Sequence, residues 1–332
     1  MTKIAINGLG RIGKLVLRAF IEDGVPGTIA FVNEPGGDAA QLAMLAEFDS
    51  VHGRWDAAFS HDETSLTING IRLPLTRART IEELPLEGVD LVIDCTGVFK
   101  TGAKIQPYFD AGVGRVLVSA PVKDGGALNL VYGVNQDLYD PGQHRIVTAA
   151  SCTTNCLAPV VKVLHEEIGI AHGAITTIHD VTNTQTIVDR PAKDPRRARS
   201  ALNSLIPTTT GSATAITLIY PELKGRLNGH AVRVPLLNAS LTDCVFEMAR
   251  ETSVEEVNSL FAKWAKGPLK GILGFETRPL VSADYLNDKR SAIVDGPSTM
   301  VVNGRQVKVF AWYDNEWAYA WRMADIARMM AA

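Results

Sequence analysis

Apolar and polar positions along the first third of the chain alternate between two periods. Lys3-Ile4-Ala5-Ile6-Asn7 is a short apolar run of strand character, and Gly8-Leu9-Gly10-Arg11-Ile12-Gly13 follows at once. Residues 14–21 then carry apolar side chains at helical spacing, and Thr28-Ile29-Ala30-Phe31-Val32-Asn33 reads as a second strand. Further strands are predicted at 89–94 and 115–119, each running into small or polar residues, Cys95-Thr96-Gly97 and Ala120-Pro121. Between them, residues 66–73 read as a hairpin turning through Asn69-Gly70. Strands separated by helical stretches predict a parallel sheet, which takes its ligands beyond the carboxyl ends of the strands.

After residue 150 the pattern changes. A strand-like run over 145–150 leads into a predicted helix over 157–168, which Pro159 is expected to bend. Residues 174–178 form a strand that delivers His179, and 186–199 read as a long polar loop. The alternating segments 231–234, 240–248 and 306–312 predict longer antiparallel strands with one covered face. Residues 317–330 return to helical spacing, with Trp321, Ala324, Ile326 and Ala327 available for burial. The expected fold is α/β: a Rossmann-type doubly wound parallel sheet over 1–150, to which the C-terminal helix 315–332 returns. An α+β catalytic domain with a mostly antiparallel sheet is expected over 151–314. No internal repeat or low-complexity linker interrupts the pattern.

Composition narrows the function classes. A chain of 332 residues, 46% hydrophobic and 21% charged, is globular and long enough for two cores. A net charge of −3 gives no general attraction to nucleic acid or to an acidic membrane, and Arg196-Arg197-Ala198-Arg199 is too short a basic cluster to change that. Four cysteines without framework spacing fit a reducing compartment. No secretory leader precedes the first strand and no apolar run approaches spanning length, so a soluble cytoplasmic protein is expected. No Cys/His grouping has metal-ligand spacing, and no metal is expected.

The candidate chemistry centres on Ser151-Cys152-Thr153-Thr154-Asn155-Cys156. A cysteine in an apolar sequence is ordinarily a small buried hydrophobe, and Cys95, Cys156 and Cys244 are read so, Cys156 doubling as a possible resolving thiol. Cys152 differs, because it sits where a strand gives way to a helix among hydroxyls and an amide. Unpaired N–H groups and the helix dipole there favour thiolate over thiol. His179, at a strand end beside polar residues, is the best of seven histidines for proton transfer. Thr208-Thr209-Thr210-Gly211-Ser212 opens a helix as a hydroxyl-rich turn suited to phosphate, with Arg233 and Arg197 as the cations to aim at it. In the first domain the glycines let a pyrophosphate approach the backbone, and Glu34 closes the second strand at the offset of a ribose-binding acid. A nucleotide domain feeding a reactive thiol points to thiol addition to an aldehyde, hydride removal to a nicotinamide and release of the acyl group by a second nucleophile.

Six segments resemble glyceraldehyde-3-phosphate dehydrogenases: Ile6-Asn7-Gly8-Leu9-Gly10-Arg11-Ile12-Gly13, Asp49-Ser50-Val51-His52-Gly53, the Cys152 motif, Arg196-Arg197-Ala198-Arg199, Pro221-Glu222-Leu223-Lys224-Gly225 and Trp312-Tyr313-Asp314-Asn315-Glu316. The resemblance implies Cys152 as nucleophile and His179 as its base. It implies Thr182 and Arg233 on the substrate's C3 phosphate, with Ser151, Thr153, Arg197, Thr210 and Gly211 on the attacking phosphate and parts of the substrate. Gly8, Gly10, Gly13, Arg11, Ile12, Glu34, Arg79, Ser119 and Asn315 match cofactor positions, Asn315 on the nicotinamide amide. It also implies a homotetramer in which the loop over residues 180–203 reaches a neighbouring subunit's cofactor.

Four departures shape the expectation. Glu34 stands where the family usually has Asp, and a longer acid still suits NAD. Arg190-Pro191 replaces Leu-Pro, and its charge leaves NADP open beside NAD. Asp180-Val181 follows His179 in place of a small residue and an aromatic, and an acid so close is expected to raise the histidine's pKa. Asn33-Glu34-Pro35-Gly36-Gly37 with His179-Asp180-Val181-Thr182 resembles a branch associated with arsenic resistance, which implies arsenate as attacking anion and 1-arseno-3-phosphoglycerate as product. Erythrose-4-phosphate dehydrogenase, which releases its product with water, shares Tyr132-Gly133-Val134-Asn135-Gln136-Asp137 and Ser291-Ala292-Ile293-Val294-Asp295-Gly296. It typically loses the phosphate-binding character of Thr182 and Thr210-Gly211, which this chain keeps. A non-catalytic nucleotide sensor on the same fold would be expected to lose Cys152, His179 or the phosphate residues, and none is lost.

Overall fold

The structure is a computed structural model, described for residues 1–25 and 27–332. The chain divides into two compact units. The first comprises Met1–Tyr132, Gln136–Ser151 and Tyr319–Ala332; the second comprises Gly133–Asn135 and Cys152–Ala318.

The first unit is built on a nine-stranded sheet. Lys3–Asn7 lies at its centre, flanked by Thr28–Asn33 on one side and Leu91–Asp94 on the other, all parallel. Beyond Leu91–Asp94 follow Arg115–Val118, Ile146–Thr148 and Leu128–Asn129, also parallel. The order therefore runs outward in both directions from the first strand, so the carboxyl ends at Asn7, Asn33 and Asp94 open a crevice. The opposite edge turns antiparallel where Ser65–Ile68 pairs with Ile71–Thr76. Asn69 and Gly70 both have positive φ (50° and 79°), as a hairpin turn matched to strand twist requires.

The first helix, Arg11–Asp23, begins three residues earlier than the apolar spacing alone indicates, so Arg11, Ile12 and Gly13 occupy its first turn. Gly8 takes φ +95°, and a Cβ on it would stand 2.9 Å from the Cys95 carbonyl carbon. A Cβ on Gly13 would collide with the Gly8 carbonyl oxygen. Glycine at these positions brings turn, helix and neighbouring strand into van der Waals contact. The C-terminal segment is tied to the start of the chain, where Thr2 Oγ1 donates to the Ala331 carbonyl at 3.1 Å.

The second unit holds an eight-stranded sheet. Its central strands, Ile170–Asp180, Ser240–Met248 and Gln306–Tyr313, pair antiparallel, while Ile170–Asp180 pairs parallel with Leu227–Val234. Ser240–Met248 alternates buried and half-buried residues along its whole length, the mark of a sheet with one face in a core. The helix Cys152–Glu167 buries Val160, Val161, Val163 and Leu164. Ile170–Asp180 is longer than its apolar centre, because the ladder to Leu227–Val234 continues through His179↔Arg233 to Asp180↔Val234. His179 is thereby held on a strand paired along one side through the end of the sheet. Among the described residues no helix is long and apolar enough to cross a membrane.

Candidate active site

The first unit carries a cleft of about 220 Å³ at the ends of its central strands. Gly8, Gly10, Glu34 and Arg79 line it, together with Asn7, Asn33, Thr80 and Thr96. Three features fit a dinucleotide. A Cβ on Gly10 would meet nothing within 4 Å, so space for a pyrophosphate lies against the backbone. The helix Arg11–Asp23 has no side-chain cap, which leaves its N-terminal amides for an anion. Glu34 accepts from Leu9 N at 3.0 Å and Gly36 N at 3.1 Å, and each carboxylate oxygen retains a lone pair for a ribose hydroxyl.

The other expected cofactor residues are placed differently. The Arg11 guanidinium is held by Asp49 at 2.7 Å, which leaves the residue's position on the first turn rather than its charge for the cofactor. Ile12 and Ser119 are half-buried and, like Gly13, are not among the residues lining the cleft.

Beneath the cleft runs a buried polar chain that joins the strand ends Asn7, Asn33 and Asp94 through Tyr108 of the helix Gly102–Asp110, a link the sequence reading did not make. Asn33 Nδ2 donates to Asn7 Oδ1 at 2.8 Å, Asn7 Nδ2 to Tyr108 Oη at 2.6 Å, and Tyr108 Oη to Asp94 Oδ2 at 2.8 Å. Asn33 also clips the loop bearing Arg79, donating to the Ala78 carbonyl at 3.0 Å and accepting from Ala78 N at 2.8 Å. Burial raises the Asp94 pKa against the opposing hydrogen bonds of Thr96 and Tyr108. The sequence signal was available in polar residues closing three adjacent apolar strands.

In the second unit, Cys152 Sγ lies 3.6 Å from His179 Nε2. Cys152 opens its helix, which begins five residues before the predicted start at 157, but burial raises its pKa and is only partly offset by Arg233 and by the Thr153 N–H and hydroxyl. The helix start alone therefore does not favour a free thiolate over the thiol.

His179 contradicts the expectation that Asp180 raises its pKa. Burial, then the positive charge of Arg233, lowers it to about 3, against the pull of the Asp180 carbonyl. The Asp180 carboxyl is itself fully buried. Burial, with Asp314 and Glu316 adding negative charge, pushes it up to about 7 against the Ser240 hydroxyl and Arg233. At the low pH where the His179 ring would titrate, an acid with a pKa of about 7 is protonated and cannot raise its neighbour's pKa by charge.

This has a consequence for stability. The unfolded chain ionises Asp180 near its ordinary value of 3.8 while the folded protein keeps it protonated until about 7. The stability it contributes is present below the unfolded value and is lost as pH rises through the folded one. Asp180→Asn is therefore expected to raise the melting temperature at pH 8 and to change it little at pH 4, with a gain on the order of 1–3 kcal/mol. Thermal melts at the two pH values check it.

Around the dyad the strand register places Arg233 opposite His179. Arg197 Nη1 donates to Thr184 Oγ1 at 2.8 Å, and Thr182 Oγ1 lies 2.9 Å from Thr184 Oγ1 and 3.0 Å from Gln185 Oε1. Thr184 and Gln185 thus connect two expected anion residues and were missed, although both follow His179 in the same polar run. Thr210 Oγ1 accepts from Ser212 N at 3.3 Å, and Gly211 caps the helix Ser212–Ile219. Ser151 immediately precedes the helix Cys152–Glu167. The Thr153 hydroxyl also reaches Tyr313 Oη at 2.9 Å, so it faces both that ring and Cys152. Tyr313, also missed, stands edge-on to His179 with ring centroids 6.1 Å apart. Asn315 is buried, its Oδ1 accepting from Ser240 Oγ at 3.2 Å.

Residues 2–102 match the family profile described as glyceraldehyde 3-phosphate dehydrogenase, NAD binding domain, and residues 151–315 match its C-terminal domain. The chain is similar over 99% of its length to "Glyceraldehyde-3-phosphate dehydrogenase 3" of Nostoc sp., at 58% identity covering 98% of that protein. It is 48% identical to a glyceraldehyde-3-phosphate dehydrogenase of Geobacillus stearothermophilus and 49% to one of Pseudomonas aeruginosa, each over 99% of the chain and 98% of the relative. The chain belongs to the glyceraldehyde-3-phosphate dehydrogenase family. Its first unit carries the family's NAD-binding domain, and the cofactor is NAD.

Proposed function

We propose that the protein is a phosphorylating glyceraldehyde-3-phosphate dehydrogenase in which Cys152 carries the acyl group. The observation that supports this most is the 3.6 Å approach of Cys152 Sγ to His179 Nε2 beside Arg233. His179 takes the thiol proton as sulfur bonds to the aldehyde carbon and passes it to the former carbonyl oxygen, giving a neutral thiohemiacetal on Cys152 and a neutral ring. His179 then takes the hydroxyl proton as hydride leaves, and a thioester remains. NAD would be held by Gly8, Gly10, Glu34 and Arg79 and would supply the hydride acceptor. Attack by an oxyanion on the thioester carbonyl releases the acyl product and returns the thiolate.

Arg233, Arg197, Thr182 and the Thr210-Gly211 turn supply cations, hydroxyls and N–H groups suited to tetrahedral oxyanions. Phosphate and arsenate share that shape and charge, and both belong to the reading, arsenate as the anion of an arsenic-resistance role. Arg233→Ala is expected to raise KM for the triose phosphate about 10- to 100-fold, the worth of a charge-assisted hydrogen bond. Steady-state kinetics at fixed NAD measure it, and unchanged kinetics would take that arginine out of the site. A cytoplasmic homotetramer completes the proposal, with exposed Ile187, Val188, Leu202 and Leu205 as the apolar side chains that assembly would cover.

The test is NADH formation from glyceraldehyde 3-phosphate with phosphate, with arsenate and with neither. The reading requires dependence on an anion, and preference between the two assigns the role. Equal turnover with neither would point to hydrolysis, as in the erythrose-4-phosphate enzyme.

A further inference from the structure

Three polar atoms meet behind the His179 ring. Nδ1 lies 2.8 Å from the Asp180 carbonyl oxygen and 2.6 Å from Arg233 Nη1, and Nη1 is 3.0 Å from that same oxygen. Arginine only donates and a carbonyl only accepts. A proton on Nδ1 would set two N–H groups against each other with no lone pair between them. Donation by Nη1 to both acceptors removes that clash, with Nδ1 left facing the Asp180 carbonyl at 2.8 Å. Nδ1 is bare and accepts one Nη1 hydrogen, the other Nη1 hydrogen goes to Asp180, and the ring's single proton sits on Nε2. An imidazole in that form presents a donor to Cys152 and has no lone pair with which to take its proton.

The backbones of His179 and Arg233 are fixed by strand register, so what is free to change is the guanidinium. Its Nε is buried with no hydrogen-bond partner among the described residues, which leaves donor capacity for a ligand. Arg197 adds a like charge that acts on both Arg233 and His179. A doubly charged oxyanion is a stronger partner for this guanidinium than a neutral ring nitrogen.

We propose that Arg233 is a positioning residue that sets the tautomer of His179. In the free enzyme it holds the ring as Nε2–H. An oxyanion that draws the guanidinium away lets Nδ1 carry the proton and donate it to Asp180, leaving Nε2 bare toward Cys152. The exchange moves no net proton, since Nε2 gives one to solvent and Nδ1 takes one up. Base strength at His179 is thereby tied to occupancy of the anion site. The inference rests on the reading of His179 as the thiol's proton acceptor.

Nitrogen NMR of enzyme labelled with ¹⁵N-histidine reads the tautomer, the His179 signals being identified by their loss in His179→Gln. Without added anion, Nδ1 is expected in the unprotonated region and Nε2 in the protonated one. Inorganic phosphate, at concentrations that saturate turnover, should exchange the two, and Arg233→Ala should show the exchanged pattern without phosphate. The phosphate titration uses the unaltered chain and decides the matter even where the variant fails to fold. A protonated Nδ1 in the anion-free enzyme, a pattern that phosphate leaves unmoved, or an Arg233→Ala protein that keeps Nε2–H would each overturn the proposal. Turnover of His179→Asn tests the base assignment independently, so failure of one is distinguishable from failure of the other.

Discussion

Cys152→Ser is expected to lower NADH formation by on the order of 10⁴-fold or more while leaving NAD binding unchanged. The substitution keeps the shape of the site and exchanges a thiol for a hydroxyl whose pKa lies far higher. His179 Nε2 stands 3.6 Å from the sulfur, and a neutral imidazole that serves as base for a thiol would give little help to an alcohol. An oxygen ester formed in place of the thioester would also resist release by a weak oxyanion nucleophile. The cofactor cleft is lined by Gly8, Gly10, Glu34 and Arg79, all distant from Cys152 in sequence and assigned to the other unit. Titration of NAD binding alongside turnover therefore separates loss of the nucleophile from loss of the fold. Appreciable retained turnover would refute the assignment of Cys152.

The second large effect belongs to His179→Asn, for which a loss of about 10²- to 10⁴-fold is expected. Its pH dependence carries more information than its size. Burial and Arg233 hold the His179 pKa down to about 3, so the ring stays neutral across the working range. The wild-type rate should show no acidic limb between pH 5 and 8 from this residue. In the variant, thiolate arises only by ionisation to solvent, and burial has raised the Cys152 pKa. Its residual rate should therefore climb steadily with pH. A pH–rate profile of both proteins checks this, and parallel profiles would count against His179 as the base. The same depressed pKa affects stability in the opposite sense to Asp180. As pH falls below about 6.5 the unfolded chain binds a proton at His179 that the folded chain refuses, so this group contributes to acid unfolding.

Much of the architecture was legible because local chemistry and global fold agree in these segments. The glycines at 8 and 13 announce a turn too tight for any side chain, and Asn69-Gly70 announces a hairpin. Alternation over 240–248 reports the covered face that the sheet displays. What remained hidden depends on register and enclosure. That Arg233 faces His179 follows from a parallel pairing between strands 54 residues apart, which no window of sequence contains. The direction of the His179 shift was misread for the same reason. Sequence shows an acid next door, while burial, which raises that acid's pKa and lowers the ring's, exists only in the folded sheet. Thr153 illustrates a finer limit. Its place in the motif is plain, but the inward turn of its hydroxyl to Tyr313 requires a partner 160 residues away.

The central claim is an acyl group carried on Cys152, and the most direct measurement is to stop the reaction before release. Enzyme, NAD and glyceraldehyde 3-phosphate are mixed with phosphate and arsenate both omitted, and NADH is followed before the Cys152 peptide is weighed by mass spectrometry. The account predicts a burst of about one NADH per subunit, then a stall, with the acyl adduct on Cys152 discharged when either anion is added. Continuous NADH formation with an unmodified Cys152 peptide would contradict it.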